Sequence, residues 1–127
     1  MAILRHALPD GSAHFDLLLA GDEVPDEERR VPTWRCPMDP LSMPVGSCMA
    51  IESLPAHRGL YLRLSCERTL DGDRGTVTPL HRGWHIERQG LLWLATDSIA
   101  PRAFDLQRRS EEHTSELHSR VDISYAV

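Results

Sequence analysis

Lysine is absent: all 14 basic residues of this 127-residue chain are arginine. That bias points to a GC-rich coding sequence more than to a binding surface, and the net charge of -5 argues against a broad nucleic-acid-binding face. A few arginines focused in a cleft could still hold phosphate. Cysteine is scarce, and Cys36, Cys48 and Cys66 form no CxxC pair. The chain therefore offers neither a disulfide framework nor a zinc knuckle, and the three are expected to be reduced, buried small residues. No apolar run approaches the roughly 18 residues a membrane helix needs, and no basic-then-apolar leader opens the chain. No membrane association and a cytoplasmic location are expected. The first 108 residues contain no convincing long helix.

What remains is ordinary globular material, 41% hydrophobic and 26% charged, of a size for one domain with one core. Short apolar runs alternate with turn chemistry. Strands are expected over residues 31–36, 48–52, 59–65, 76–80, 84–88, 91–96 and 102–108, in addition to an opening hairpin. In the 31–36 run Trp34 packs inward and Arg35 faces out. Residues 21–30 read as a solvated charged loop, 71–75 (DGDRG) as a turn, and 37–46, with three prolines, as an irregular crossing. Gly83 and Gly90 mark further turns. This pattern predicts an all-β fold: a small barrel or closed sandwich of about eight short strands with little helix.

The richest chemistry lies in the opening stretch, RHALPDGSAHFDLLLA at residues 5–20. Pro9, Asp10, Gly11 and Ser12 supply a turn between two apolar runs, which predicts a β-hairpin. His14 and Asp16, two apart, leave one face of a strand, and His6 joins them only in an odd-loop register. If paired residue numbers sum to 22, His6 lies across from Asp16 and Leu8 across from His14. Two imidazoles and a carboxylate are metal-ligand chemistry suited to manganese, zinc or iron.

The C-terminal segment departs from the rest. Residues 109–119, RSEEHTSELHS, resemble the conceptual translation of a sequencing-library adapter, with His118 in place of one glutamine. Residues 109–127 are accordingly expected to be a non-native, unstructured tail outside a domain at 1–108. Without them 12 basic and 15 acidic residues remain, a net charge of -3.

Taken together the motifs resemble the 3'-phosphoesterase domain of bacterial DNA ligase D, in particular its short stand-alone relatives. The family's opening motif, a His followed after a spacer by His-aromatic-Asp, is matched by His6 and His14-Phe15-Asp16. Its second motif, a His with a Tyr four residues on, is matched by His57 and Tyr61. Trp34-Arg35 and residues 73–77 are weaker matches, and the similarity spans about residues 2–108. The resemblance implies a compact β-barrel hydrolase that removes 3'-phosphates or 3'-ribonucleotides from DNA ends during repair. It implies a divalent metal, manganese for preference with zinc or iron as alternatives, held by His6, His14 and Asp16. His57 and Tyr61 would contact or protonate the scissile phosphate. The implied partners are DNA or DNA/RNA 3' ends and a DNA ligase or end-joining protein, and a monomer is expected.

Two positions depart from the family. Leu18 stands where an Arg usually follows the metal-binding Asp, beside the ion on a regular strand, and Arg35, Arg58 or Arg74 would have to bind the phosphate instead. Pro55-Ala56 replaces the acidic residue before the second-motif His. The departures leave a non-catalytic relative that binds nucleic-acid ends as one alternative. A second alternative is a non-haem iron oxygenase in which His57, His81 or His85 completes a triad with His14 and Asp16. His81 and His85 otherwise read as structural.

Overall fold

A computed structural model describes residues 1–108 and 120–125 of the chain. The opening hairpin forms as β1 (Ala2–Ala7) and β2 (Ala13–Leu18). It closes on three residues: Leu8 N donates to Ser12 O at 2.8 Å and Gly11 N donates to Leu8 O at 3.0 Å. Asp10 Oδ1 accepts from Ser12 N at 2.8 Å and stiffens the turn. The tight loop sets the register two short of the expected sum of 22, so that His6 faces His14 and Leu4 faces Asp16. Because the slip is even, His6, His14 and Asp16 still share a face.

The chain continues through β3 (Arg29–Cys36), β4 (Cys48–Arg58), β5 (Arg68–Thr69), β6 (Thr76–Arg88), β7 (Leu91–Thr96), β8 (Arg102–Arg108) and β9 (Arg120–Tyr125). Neighbours run β1-β2-β3-β4-β9-β8-β7-β6, and β6 returns to β1, so eight antiparallel strands close into a barrel. The two-residue β5 pairs with β6 as an extra strand. This is the small all-β barrel that the alternating runs predicted.

Three expectations about the later strands need correction. The runs at 76–80 and 84–88 are one strand, whose first half pairs with β1 and whose second half pairs with β7. Gly83 makes no turn there; it lets two strands approach, since a Cβ at this position would lie 1.9 Å from Ala95 O. Residues 59–65 are not a strand: β4 runs on to Arg58, and Gly59–Leu62 then forms a 3₁₀ turn. The tail is not wholly unstructured. Strand β9 fills the slot between β4 and β8, with Val121 and Ile123 buried, because Val121, Ile123 and Tyr125 carry the two-residue period of a strand. The adapter-like residues 109–119 lie outside the described residues. The crossing at 37–46 is irregular as expected, with one 3₁₀ turn at Pro40–Ser42 capped by Asp39.

Apolar side chains, among them Ile3, Leu17, Cys36, Ile51, Leu94, Phe104 and Ile123, fill the interior. Trp34 packs against this core from β3. Of the three free cysteines only Cys36 is buried; Cys48 and Cys66 are exposed, contrary to expectation. A second cluster, Ala2, Leu4, Leu18, Val24 and Val31, lies on the outer face of the first three strands, under Tyr61, Leu62 and Leu64. Strands β1 and β2 are thus buried on both faces, and the outer one carries the histidines. Among the described residues no helix is long and apolar enough to cross a membrane.

Candidate metal centre and arginine-lined cleft

His6 from β1 and His14 and Asp16 from β2 converge on this outer face. Their potential ligand atoms all lie within 4.8 Å of one another. His6 Nδ1 is 3.2 Å from His14 Nε2, His14 Nε2 is 3.1 Å from Asp16 Oδ1, and His6 Nδ1 is 3.9 Å from Asp16 Oδ2. Donors at about 2.1 Å from one ion stand about 3.0 Å apart in cis octahedral and about 3.4 Å apart in tetrahedral geometry. His14 already has that spacing to both of the others, while His6 and Asp16 stand wider apart.

Hydrogen bonding also orients the site. His6 Nε2 donates to the carbonyl of Arg74 at 2.6 Å, which turns Nδ1 towards His14 and Asp16. The 71–75 turn can reach His6 because it lies directly against β1: a Cβ on Gly75 would sit 2.0 Å from Ala7 O. Asp16 is only 2% exposed, and its buried Oδ1 has, among the described residues, no polar partner beyond the His14 contact at 3.1 Å. A buried carboxylate oxygen without a donor costs free energy unless a proton or cation meets it. Burial alone would raise the Asp16 carboxyl, but the imidazoles of His14 and His57 outweigh it and hold the group at about 2. The site therefore presents an ionised carboxylate beside two imidazoles, a donor set that fits a divalent cation.

His57 arrives from β4 through paired irregularities. Arg35↔Glu52, Thr33↔Leu54 and Arg29↔Arg58 obey one register, yet Val31 faces His57 where Ala56 would otherwise stand. A bulge at Pro55-Ala56 thus turns His57 to the same side as Arg58, and a Pro in a strand is commonly found at such a break. His57 Nδ1 donates to Pro55 O at 3.0 Å, and Nε2 points to within 3.8 Å of Asp16 Oδ2. Tyr61, placed by the 3₁₀ turn, meets the His57 ring edge-on at 5.7 Å between centroids.

These groups line one cleft of about 270 Å³ together with Arg29, Arg35, Arg58 and Arg74. The structure thus brings together every site residue that the sequence singled out: His6, His14, Asp16, His57, Tyr61, Arg35, Arg58 and Arg74. Arg29 was missed, although the alternation Arg29, Val31, Thr33, Arg35 would have placed it on the face of Arg35 had β3 been started two residues earlier. His81 is elsewhere, its Nε2 2.7 Å from Asp39 Oδ2, and His85 does not line the cleft. Of the three distal histidines considered for an oxygenase triad, only His57 is in ion-pairing range of Asp16. Leu18 does not line the cleft; it is fully buried in the second apolar cluster.

The chain matches no protein-family model, no curated protein and no solved structure.

Proposed function

We propose that this barrel is a metal-dependent phosphoesterase that removes a 3'-phosphate or 3'-ribonucleotide from DNA ends. The observation that carries the reading is the convergence, in one cleft, of two imidazoles and a buried carboxylate with a wall of four arginines. A divalent ion held by His6, His14 and Asp16, manganese for preference with zinc or iron also suited, would supply a Lewis acid for a phosphoryl oxygen. Arg35, Arg58 and Arg74 bind the phosphate oxygens, whose planar pairs match the guanidinium fork. In hydrolysis of a 3'-phosphate the P–O bond to the sugar breaks, water oxygen adds to phosphorus, and the 3' oxygen leaves with a proton. His57 is placed to deliver that proton from Nε2, since Nδ1 is committed to Pro55 O and Tyr61 steadies the ring. DNA ends bearing such groups are substrates in repair, so a DNA ligase or end-joining protein is the partner class that fits.

The test is phosphate release from a 3'-phosphorylated oligonucleotide with added manganese, against a chelated control. The parent is expected to release phosphate only with metal, and His14→Ala to lose both manganese binding and release. Tight, metal-independent binding of the oligonucleotide without release would instead establish a non-catalytic end-binding module.

A further inference from the structure

The arginine wall is not uniform. Arg35 lies opposite Asp16 in the β2–β3 register, and Arg74 holds His6 through its carbonyl, so both belong to the metal end of the cleft. Arg29 and Arg58 instead face each other directly across β3 and β4, one rung beyond Val31 and His57 and on the side away from Arg35. Like charges directly opposite on a sheet repel. Neither is well neutralised by the protein: Arg29 makes no side-chain hydrogen bond or ion pair among the described residues. Arg58 has a single carboxylate partner, Glu27 at 3.4 Å, whose side chain is 82% exposed. An ion pair so open to solvent does little to offset the repulsion. The Nε of Arg58 is buried with no hydrogen-bond acceptor, while its guanidinium lies over the Tyr61 ring at 5.8 Å. Two guanidinium groups facing each other along one cleft, Arg29 exposed and Arg58 partly buried with an unpartnered Nε, suit an anion.

We infer that Arg29 and Arg58 form a second phosphate subsite that binds the internucleotide phosphodiester next to the terminal 3' group. The inference rests on the phosphoesterase reading for the identity of the terminal group, and it extends that reading by making the substrate a strand rather than a free phosphate monoester. One rung of a sheet is two residues, roughly 7 Å, a separation that one nucleoside linking two phosphates can span. Arg58 is then shared between the two phosphates, and Arg29 serves the second alone.

The test is equilibrium binding in chelator, where no turnover occurs. The probes are a thymidine dinucleotide 3'-phosphate and the same molecule with an uncharged methylphosphonate linkage. The parent is expected to prefer the charged linkage by about tenfold or more, the usual effect of a charge-assisted contact. Arg29→Gln should bring that preference close to unity, and Arg29→Lys should restore part of it, which loss of fold alone would not do. Equal affinity of the parent for both probes overturns the subsite, as does an Arg29→Gln variant that keeps the preference. Inorganic pyrophosphate competing as well as the dinucleotide also overturns it, because the cleft would then read a polyphosphate and not a strand. If manganese-dependent phosphate release is absent while the linkage preference persists, the subsite stands and only the catalytic reading falls.

Discussion

Replacing Leu18 by arginine separates two accounts of the outer face of β2. On a regular strand taken alone, Leu18 follows Asp16 on the same side and would stand beside the ion, so an arginine there should grip phosphate. In the barrel it is 0% exposed and packed with Ala2, Leu4, Val24 and Val31. An arginine in that place removes the leucine contacts, worth about 2–5 kcal/mol by truncation. It also forces in a longer side chain, at about 1–3 kcal/mol. Its charge has no carboxylate in the cluster to meet, and a buried charge left uncompensated costs about 3–5 kcal/mol. Some of that is recovered if the stem bends outward and the guanidinium reaches water. A net loss of at least about 3 kcal/mol is therefore expected, on the order of 10 °C in melting temperature for a domain of this size.

The assay is urea and thermal unfolding of parent, Leu18→Arg and Leu18→Met, with phosphate release measured on whatever remains folded. Leu18→Met, which conserves volume, should cost less than about 1.5 kcal/mol. The arginine variant should unfold early and release phosphate no faster than the parent. A Leu18→Arg protein as stable as the parent and more active would refute the burial argument, since it would require residue 18 to open into the cleft.

Two further outcomes are expected. The Asp16 carboxyl is held at about 2 against an ordinary 3.8, so the unfolded chain takes up its proton first on acidification. The stability this confers on the metal-free protein, about 2 kcal/mol, is present above pH 3.8 and lost as pH falls through about 2. Asp16→Asn should lack that slope in urea titrations across the range, and identical slopes would count against it. Ile123 is fully buried in the barrel interior from β9. Ile123→Ala should lower stability by about 2–5 kcal/mol, and removal of residues 109–127 should do more by unpairing β4 and β8; an unchanged melting temperature after truncation would mean that β9 does not close the barrel.

Much of the barrel was legible because a two-residue period and Gly/Pro punctuation are local signals, and six of the runs read from them are strands or parts of strands. The misreadings share a cause: a local pattern with more than one tertiary use. The alternation of Leu60, Leu62 and Leu64 suits a strand, yet here Leu62 and Leu64 cover the outer cluster from a 3₁₀ turn and the segment after it. Gly83 between two runs suits a turn, yet it serves the close passage of β6 against β7. The valine-isoleucine-tyrosine alternation of β9 is a strand signal in the sequence, but it directly follows the adapter-like residues and is linked to them only by position.

The site divides along the same line. His6, His14 and Asp16 sit on a hairpin whose turn is written in adjacent residues, so parity alone predicted a shared face even though the exact register was two residues off. His57 cannot be placed by parity: in the register shared by Arg35↔Glu52 and Arg29↔Arg58 its side chain would enter the barrel interior. It reaches the cleft because the ladder slips at Pro55-Ala56 and recovers by Arg58, and the same slip lets two neighbours in sequence face one cavity. A proline inside a strand signals such a break but not its direction. Once the break has turned His57 outward, the Pro55 carbonyl accepts the His57 Nδ1 proton and so fixes which nitrogen is turned towards Asp16. The feature that spoils the periodicity of β4 is therefore also the one that orients its histidine.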